Sequence, residues 1–152
     1  MRLATKRLAK ELTELRASGA PAGCALLQAD DLQTWLFSIS VLGESVYAGE
    51  TFALRFRFPD AYPMESPECV FVTDGGWKAP VHGHVYSNGH ICASILGNEW
   101  SPVLHASSVL LTIQSMLASA KKKELPPDND RYVKRAPLSP KDTRWAYHDD
   151  NV

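Results

Sequence analysis

The apolar positions of this chain change period as it runs. Between residues 3 and 16, Ala4, Leu8, Leu12 and Leu15 recur at three-to-four spacing while Lys6, Arg7 and Lys10 lie off that stripe, which predicts an amphipathic helix. The segment ASGAPAG (17–23) ends it with Gly and Pro. The period then falls to two. In WLFSISVL, Trp35, Phe37, Ile39 and Val41 alternate with Leu36, Ser38, Ser40 and Leu42, and in TFALRFRF, Phe52, Leu54, Phe56 and Phe58 oppose Arg55 and Arg57. Both read as strands with one face on a core and one toward water, joined at hairpin-like spacing by the turn GESVYAGE. CVFV (69–72) reads as a short buried strand and ALLQA (25–29) as a weaker first one.

PDAYPMESPE (59–68) carries three prolines, so it is an irregular connection that cannot donate a full ladder of hydrogen bonds. From Cys69 the chain runs through DGGWKAPV with little periodicity. A loop of that length inside a compact domain is usually functional, and Trp77, Val81, Val85, Tyr86 and Ile91 argue that it is ordered. Trp100-Ser101-Pro102 reads as the entry to a helical turn, with Ser as cap and Pro at the first helical position. Helical spacing returns at 107–119, where Val109, Leu110, Ile113, Met116 and Leu117 cover a broad arc. After KKKE, the polar, proline-rich tail predicts one short helix near Asp130–Ala136 and a mobile segment beyond it. A helix, a meander of strands, a long loop and a second helix make an α+β domain rather than a βαβ one. Residues 1–125 form its core and 126–152 a C-terminal segment of the same single domain.

Composition removes several function classes. With 152 residues, 45% apolar and 22% charged, the chain is long enough to bury a core unaided. Its net charge of −1 provides no global field for nucleic acid or a membrane surface. No apolar run is long enough to span a membrane, and MRLATKRLAKEL has no signal-peptide core. Three scattered cysteines, Cys24, Cys69 and Cys92, argue for a reducing compartment, so nucleus and cytoplasm are the expected location.

The chemistry concentrates in HGHVYSNGHICAS (82–94). His82, His84, His90 and Cys92 give H-x-H-x5-H-x-C, a zinc-competent donor set. Structural zinc sites of this kind pair two ligands here with two elsewhere, and the chain has no second cluster. Asn88-Gly89 is instead a tight-turn signal. Nor does Cys92 head a phosphate-binding loop, since Asn98 stands where an Arg six positions on is required. A Cys92–His90 dyad and a plain buried cysteine in ICASIL both fit the residues taken alone.

Tyr62-Pro63-x-x-x-Pro67, His82, Asn88-Gly89-x-Ile91-Cys92 and Trp100-Ser101-Pro102, in this order and spacing, resemble the ubiquitin-conjugating enzymes over roughly residues 3–120. The resemblance implies the ubiquitin-conjugating fold, with a four-stranded antiparallel meander between the two helices. It also implies a Cys92 that carries ubiquitin as a thioester. Such a thiol exchanges an already activated acyl group, so no catalytic triad, metal or cofactor is required. The implied partners are ubiquitin, its activating enzyme, RING or U-box ligases and protein substrates, with no nucleic acid or membrane. Lys6, Arg7 and Lys10, taken alone a solvated face, become with Met64, Ser101, Pro102 and Val103 the surface for activating enzyme and ligase. Asn88, His90 and Ser94 would line the groove around the thioester.

Two departures from the family pattern matter. His-Pro-Asn ten residues before the cysteine is here His82-Gly83-His84, which makes His84 the candidate oxyanion donor and removes a rigid proline. The acid often found two residues after the cysteine is here Ser94. These departures, with PPDN (126–129) and YHDDN (147–151), resemble the W-type branch, which serves the α-amino group of substrates with disordered N-termini. Asp128 and Glu124 are the two candidates for an acid beside that amine, and Trp145 and Tyr147 are apolar enough to dock near the site. The readings from other classes are a His/Cys metal-binding domain without acyl transfer and an adaptor that only binds ubiquitin.

Overall fold

In the computed structural model, which describes residues 3–145, the chain runs α1 (Leu3–Ser18), β1 (Cys24–Gln28), β2 (Thr34–Ser40), β3 (Thr51–Arg57), β4 (Glu68–Phe71), α2 (Ala106–Ala118) and α3 (Asn129–Arg135). Single 3-10 turns lie at Ser94–Leu96 and Pro140–Asp142. The four strands form one sheet in the order β1-β2-β3-β4, antiparallel throughout. Its register puts Trp35 opposite Phe56, Phe37 opposite Leu54 and Ile39 opposite Phe52, so the alternating apolar faces of β2 and β3 meet on one side. Neighbouring rings pack edge to face, Trp35 on Phe58 at 4.7 Å and Phe37 on Phe56 at 5.4 Å between centroids.

Two helices supply the rest of the core. Val109, Leu110, Ile113, Met116 and Leu117 of α2 are buried, as are Ala4, Leu8, Leu12 and Leu15 of α1, the stripe that the spacing predicts. The β2–β3 connection contributes more than a turn. Tyr47 is buried there and donates its hydroxyl to the Val81 carbonyl at 2.6 Å, holding the loop that leads to the histidine segment.

One carboxylate ties α1 to the proline-rich connection and to the start of α2. Glu11, only 4% exposed on the buried stripe of α1, accepts hydrogen bonds from the Tyr62 hydroxyl at 2.5 Å and the Ala106 N–H at 2.9 Å and pairs with Arg7 at 3.1 Å. Arg7 in turn donates to the carbonyls of Pro102 and Leu104, and the Trp100 indole N–H donates to the Pro63 carbonyl at 2.8 Å. These bonds explain why Trp100-Ser101-Pro102 forms only a turn, closed by Leu104 N–H to the Ser101 carbonyl, rather than a helix. The donor that would continue a helix back to Pro102, the Ala106 N–H, belongs to Glu11, and the Pro102 carbonyl belongs to Arg7. Helix α2 therefore starts at Ala106, with the Ser108 hydroxyl accepting the N–H of His105.

The C-terminal segment also departs from expectation. Helix α3 forms where the sequence places it, but residues 136–145 are packed rather than loose. Ser139 donates to Glu68 at 2.9 Å, Lys141 binds Glu65 and the Ser66 carbonyl, and the Trp145 indole donates to the Pro140 carbonyl. The contacts are charged groups meeting β4 and its approach, a pairing that no hydrophobic period announces. Tyr147 lies outside the described residues. Among those residues no helix is long and apolar enough to cross a membrane.

Replacing Glu11 by Ala leaves the Tyr62 hydroxyl and the Ala106 N–H buried without an acceptor and strips Arg7 of its counter-charge. The expected cost is about 2–4 kcal/mol, since Arg7 is partly solvated. In a calorimetric scan the midpoint should fall by about 5–15 °C.

Candidate active site

The segment 82–92 is a tight hairpin laid against β4. Val85 pairs with Ile91, and Tyr86 N–H donates to the His90 carbonyl and Cys92 N–H to the His84 carbonyl, each at 2.9 Å. The tip is the turn the sequence announces, with Gly89 at φ +91° and the Asn88 side chain accepting the His90 N–H. Gly89 also meets the sheet, its carbonyl accepting the Phe71 N–H at 2.9 Å, and a Cβ there would stand 2.1 Å from the Phe71 carbonyl oxygen. Only glycine fits. Gly83, by contrast, has open space around its missing side chain.

Two histidines brace this hairpin. The His82 ring accepts the His84 N–H at Nδ1 (2.9 Å) and faces the Met116 carbonyl with Nε2 (3.2 Å). A carbonyl only accepts, so His82 is the neutral Nε2–H tautomer, tying the loop to α2. Burial and the adjacent His84 hold its pKa below the usual histidine range, with the Met116 hydrogen bond opposing. His90 is buried as well, and its Nδ1 lies 2.7 Å from the Tyr132 hydroxyl. Burial lowers its pKa against the opposing effects of Glu68 and a hydrogen bond to Leu138. Both rings are engaged by these contacts, and among the described residues no group of three or more His, Cys, Asp or Glu is placed to hold a metal ion.

His84 and Cys92 face each other as opposite residues of the antiparallel pair, which puts their side chains on one face of the hairpin. The second contact of the pair runs from the His84 ring, whose Nδ1 lies 3.1 Å from the Cys92 carbonyl. Nδ1 therefore carries the proton and Nε2 is the acceptor of the neutral ring. Both residues border a recess of about 500 Å³ that Gly83, Tyr86, Asp128 and Tyr132 also line. Asp128 stands at the start of α3, its two carboxylate oxygens 3.0 and 3.2 Å from the Tyr86 hydroxyl that donates to it. Glu124, the other candidate acid, is exposed and pairs with Lys122 at 3.3 Å. Burial, and secondly the Asp128 charge, push the Cys92 thiol up to about 11.

Ser94 is buried and donates to Glu99 at 2.6 Å, so an acid does stand near this position, supplied from five residues downstream. The aromatic wall of the recess has weaker signals in the sequence. Tyr132 stacks on Tyr86 at 4.0 Å, Trp145 packs on both, and the Tyr132 hydroxyl lies 2.8 Å from that of Thr143. Asn129 pins the hairpin from α3, accepting the Ser87 N–H at 2.8 Å. Apart from Ser94–Glu99 these contacts join residues more than ten apart, and of the aromatics involved the sequence points only to Trp145 as apolar enough to dock near the site.

Of the residues expected to dock, Lys6, Lys10 and Pro102 are exposed, Met64 is 68% and Val103 80% exposed, and Ser101 is half-buried. Arg7 lies beneath this surface as the tie to the Pro102 and Leu104 carbonyls rather than as an open charge. Of the other two cysteines, Cys69 is buried and Cys24 lies on β1, and neither lines the recess.

The Cys92 thiol is almost wholly protonated at neutral pH, so alkylation by iodoacetamide should accelerate with pH up to about 10 without a plateau. Because Asp128 raises the thiol pKa, Asp128→Asn should lower it and alkylate several-fold faster at pH 8. An unchanged rate would show that the carboxylate does not act on the thiol.

Comparison with known proteins agrees with this geometry. The family described as "Ubiquitin-conjugating enzyme" matches residues 7–138. The zebrafish "Probable ubiquitin-conjugating enzyme E2 W-A" is 49% identical over 148 residues, covering 95% of this chain and 95% of that protein. "Ubiquitin-conjugating enzyme E2 W" of Caenorhabditis elegans is 45% identical, covering 98% and 97%. The crystal structure of the ubiquitin-conjugating enzyme E2 UbcA1 from Agrocybe aegerita superposes with a TM-score of 0.91 at 57% identity, covering 92% of this chain and 99% of that one. With its sheet, its helices and a cysteine hairpin built as this fold requires, the chain belongs to the ubiquitin-conjugating enzyme family and has W-type homologues.

Proposed function

We propose that Cys92 accepts ubiquitin from the activating enzyme as a thioester and passes it, with a RING or U-box ligase bound, to the α-amino group of substrates with disordered N-termini. The observation that supports this reading is the placement of Cys92, His84 and Asp128 around one recess. The neutral amine attacks the thioester carbonyl, and His84 Nε2 takes the proton it sheds. The imidazolium so formed donates to the oxyanion and then returns the proton to the departing Cys92 sulfur. The products are an amide and a thiol, and no proton is left over. Asp128 supplies the negative charge that draws the ammonium form of the amine into the recess.

The same scheme supports the α-amine as acceptor. Its pKa is about 8, so roughly a fifth is neutral at pH 7.4, against about one part in a thousand for a lysine at about 10.4. A histidine base is matched to the first and poorly matched to the second. The exposed cluster of Lys6, Lys10, Met64, Pro102 and Val103, with Ser101, is the ligase surface on this reading, with Arg7 holding its parts in register.

With activating enzyme, ATP and ubiquitin, the wild-type chain should form an adduct cleaved by thiols, and Cys92→Ser an alkali-labile oxyester or none. A lysine-free peptide with a free N-terminus should discharge the thioester, and its acetylated form should not. Chelatable zinc without an adduct would favour a metal domain. Ubiquitin binding unchanged in Cys92→Ser without an adduct would favour an adaptor. His84→Asn should slow discharge onto α-amines by about tenfold or more while leaving thioester formation nearly intact, measured in single-turnover assays. Equal rates would remove His84 from the chemistry.

A further inference from the structure

The recess beside Cys92 is not uniformly charged. Asp128 stands close enough to act on the thiol, while Arg131 on α3 and Arg144 on the segment just after the 3-10 turn are exposed on its outer walls. Between these poles the wall is apolar and aromatic, formed by Pro126, Tyr132 and Trp145. Both arginines are fixed by their neighbours. Tyr132, next to Arg131, stacks on Tyr86, and Thr143, before Arg144, meets the Tyr132 hydroxyl while Trp145, after it, packs on Tyr132. The two cations thus flank one aromatic unit, and among the described residues no carboxylate lies within ion-pair distance of either.

A peptide end entering with its ammonium toward Asp128 must lay its next residues along this wall, toward Arg131 and Arg144. We propose that the recess reads the charge of the substrate's first few residues, favouring N-termini with Asp or Glu at positions two to four and disfavouring Lys or Arg there. The inference rests on the α-amine reading above, because only a chain end places its following residues in a fixed direction from the thioester. A recess of about 500 Å³ accommodates only the first few residues, so the charge selection does not extend far along the substrate.

The test is single-turnover discharge of the preformed thioester, which removes any effect on loading. Lysine-free peptides of equal length carry two Asp, two Ser or two Arg at positions two to four and are assayed free and N-acetylated. Because the basic peptides use Arg rather than Lys, no second acceptor amine is introduced. At low ionic strength, acidic peptides should react about three- to tenfold faster than basic ones, with the neutral peptide between. The order should compress at 0.5 M salt, where screening acts over about 4 Å. The Arg131→Glu/Arg144→Glu chain should invert the order. Free peptides reacting alike whatever their charge, yet faster than acetylated ones, would overturn this inference and leave the α-amine reading standing. An order unchanged in the double variant would overturn it as well. A lysine-bearing acetylated peptide that matches the free ones would instead overturn the α-amine reading itself.

Discussion

The contact between Gly89 and the main chain of Phe71 is the constraint on which the site depends. β4 is an edge strand, and it accepts the cysteine hairpin only because residue 89 has no side chain and takes a positive φ. That approach sets the height of the hairpin over the sheet, and the pairing of Cys92 N–H with the His84 carbonyl then sets which side chains face outward. His84 and Cys92 share a face because of where the turn falls. A shift of one residue in the pairing would bury one of them.

A second hub works by different chemistry. Glu11 is a buried carboxylate whose partners come from three separate stretches of chain, α1 itself, the proline-rich connection and the start of α2. A buried acid of this kind is a poor source of net stability, because desolvation offsets most of the attraction. Its value is geometric. By taking the N–H of Ala106 and orienting Arg7 onto the carbonyls of Pro102 and Leu104, it keeps Pro102 and Val103 out of a helix and on the surface, close to Met64.

These two hubs also mark how far the sequence could be read. Local periodicity locates both long helices and the two central strands, because those elements are determined by which side chains face the core. CVFV and ALLQA are legible as short apolar runs and Asn88-Gly89 as turn chemistry. The roles expected of Cys92, His84 and the surface residues come from the family resemblance that the ordered motifs carry, which leaves Asp128 and Glu124 as equal candidates for the acid. What periodicity could not reveal are contacts between polar groups far apart in sequence. Glu11 lies on a buried stripe where a charge argues against burial. Ser139 and Lys141 hold a segment whose composition suggests a loose tail, and Tyr132 and Trp145 meet Tyr86 from beyond α2, far along the sequence. The stand-in acid of Glu99 for Ser94 is local by comparison, a charge supplied five residues downstream rather than at its place in the motif.

The thiol's high pKa constrains any reaction at this site. A sulfur whose conjugate acid titrates near 11 is a sluggish leaving group, so an acyl chain attached to Cys92 is held against casual loss to water. The same property would block transfer if the sulfur had to depart as a bare thiolate. Departure with a proton supplied removes that obstacle, and on the proposed path the proton comes from the attacking amine by way of His84. On the proposed path, burial and the Asp128 charge would make the thioester durable and its release conditional on an attacking amine whose N–H proton reaches the sulfur by way of His84. An α-amine near pKa 8 is neutral, and so able to attack, far more often than a lysine is. Selectivity on this view needs no pocket that excludes lysine. It follows from an attack that requires the neutral amine, beside a sulfur that leaves only when it is protonated.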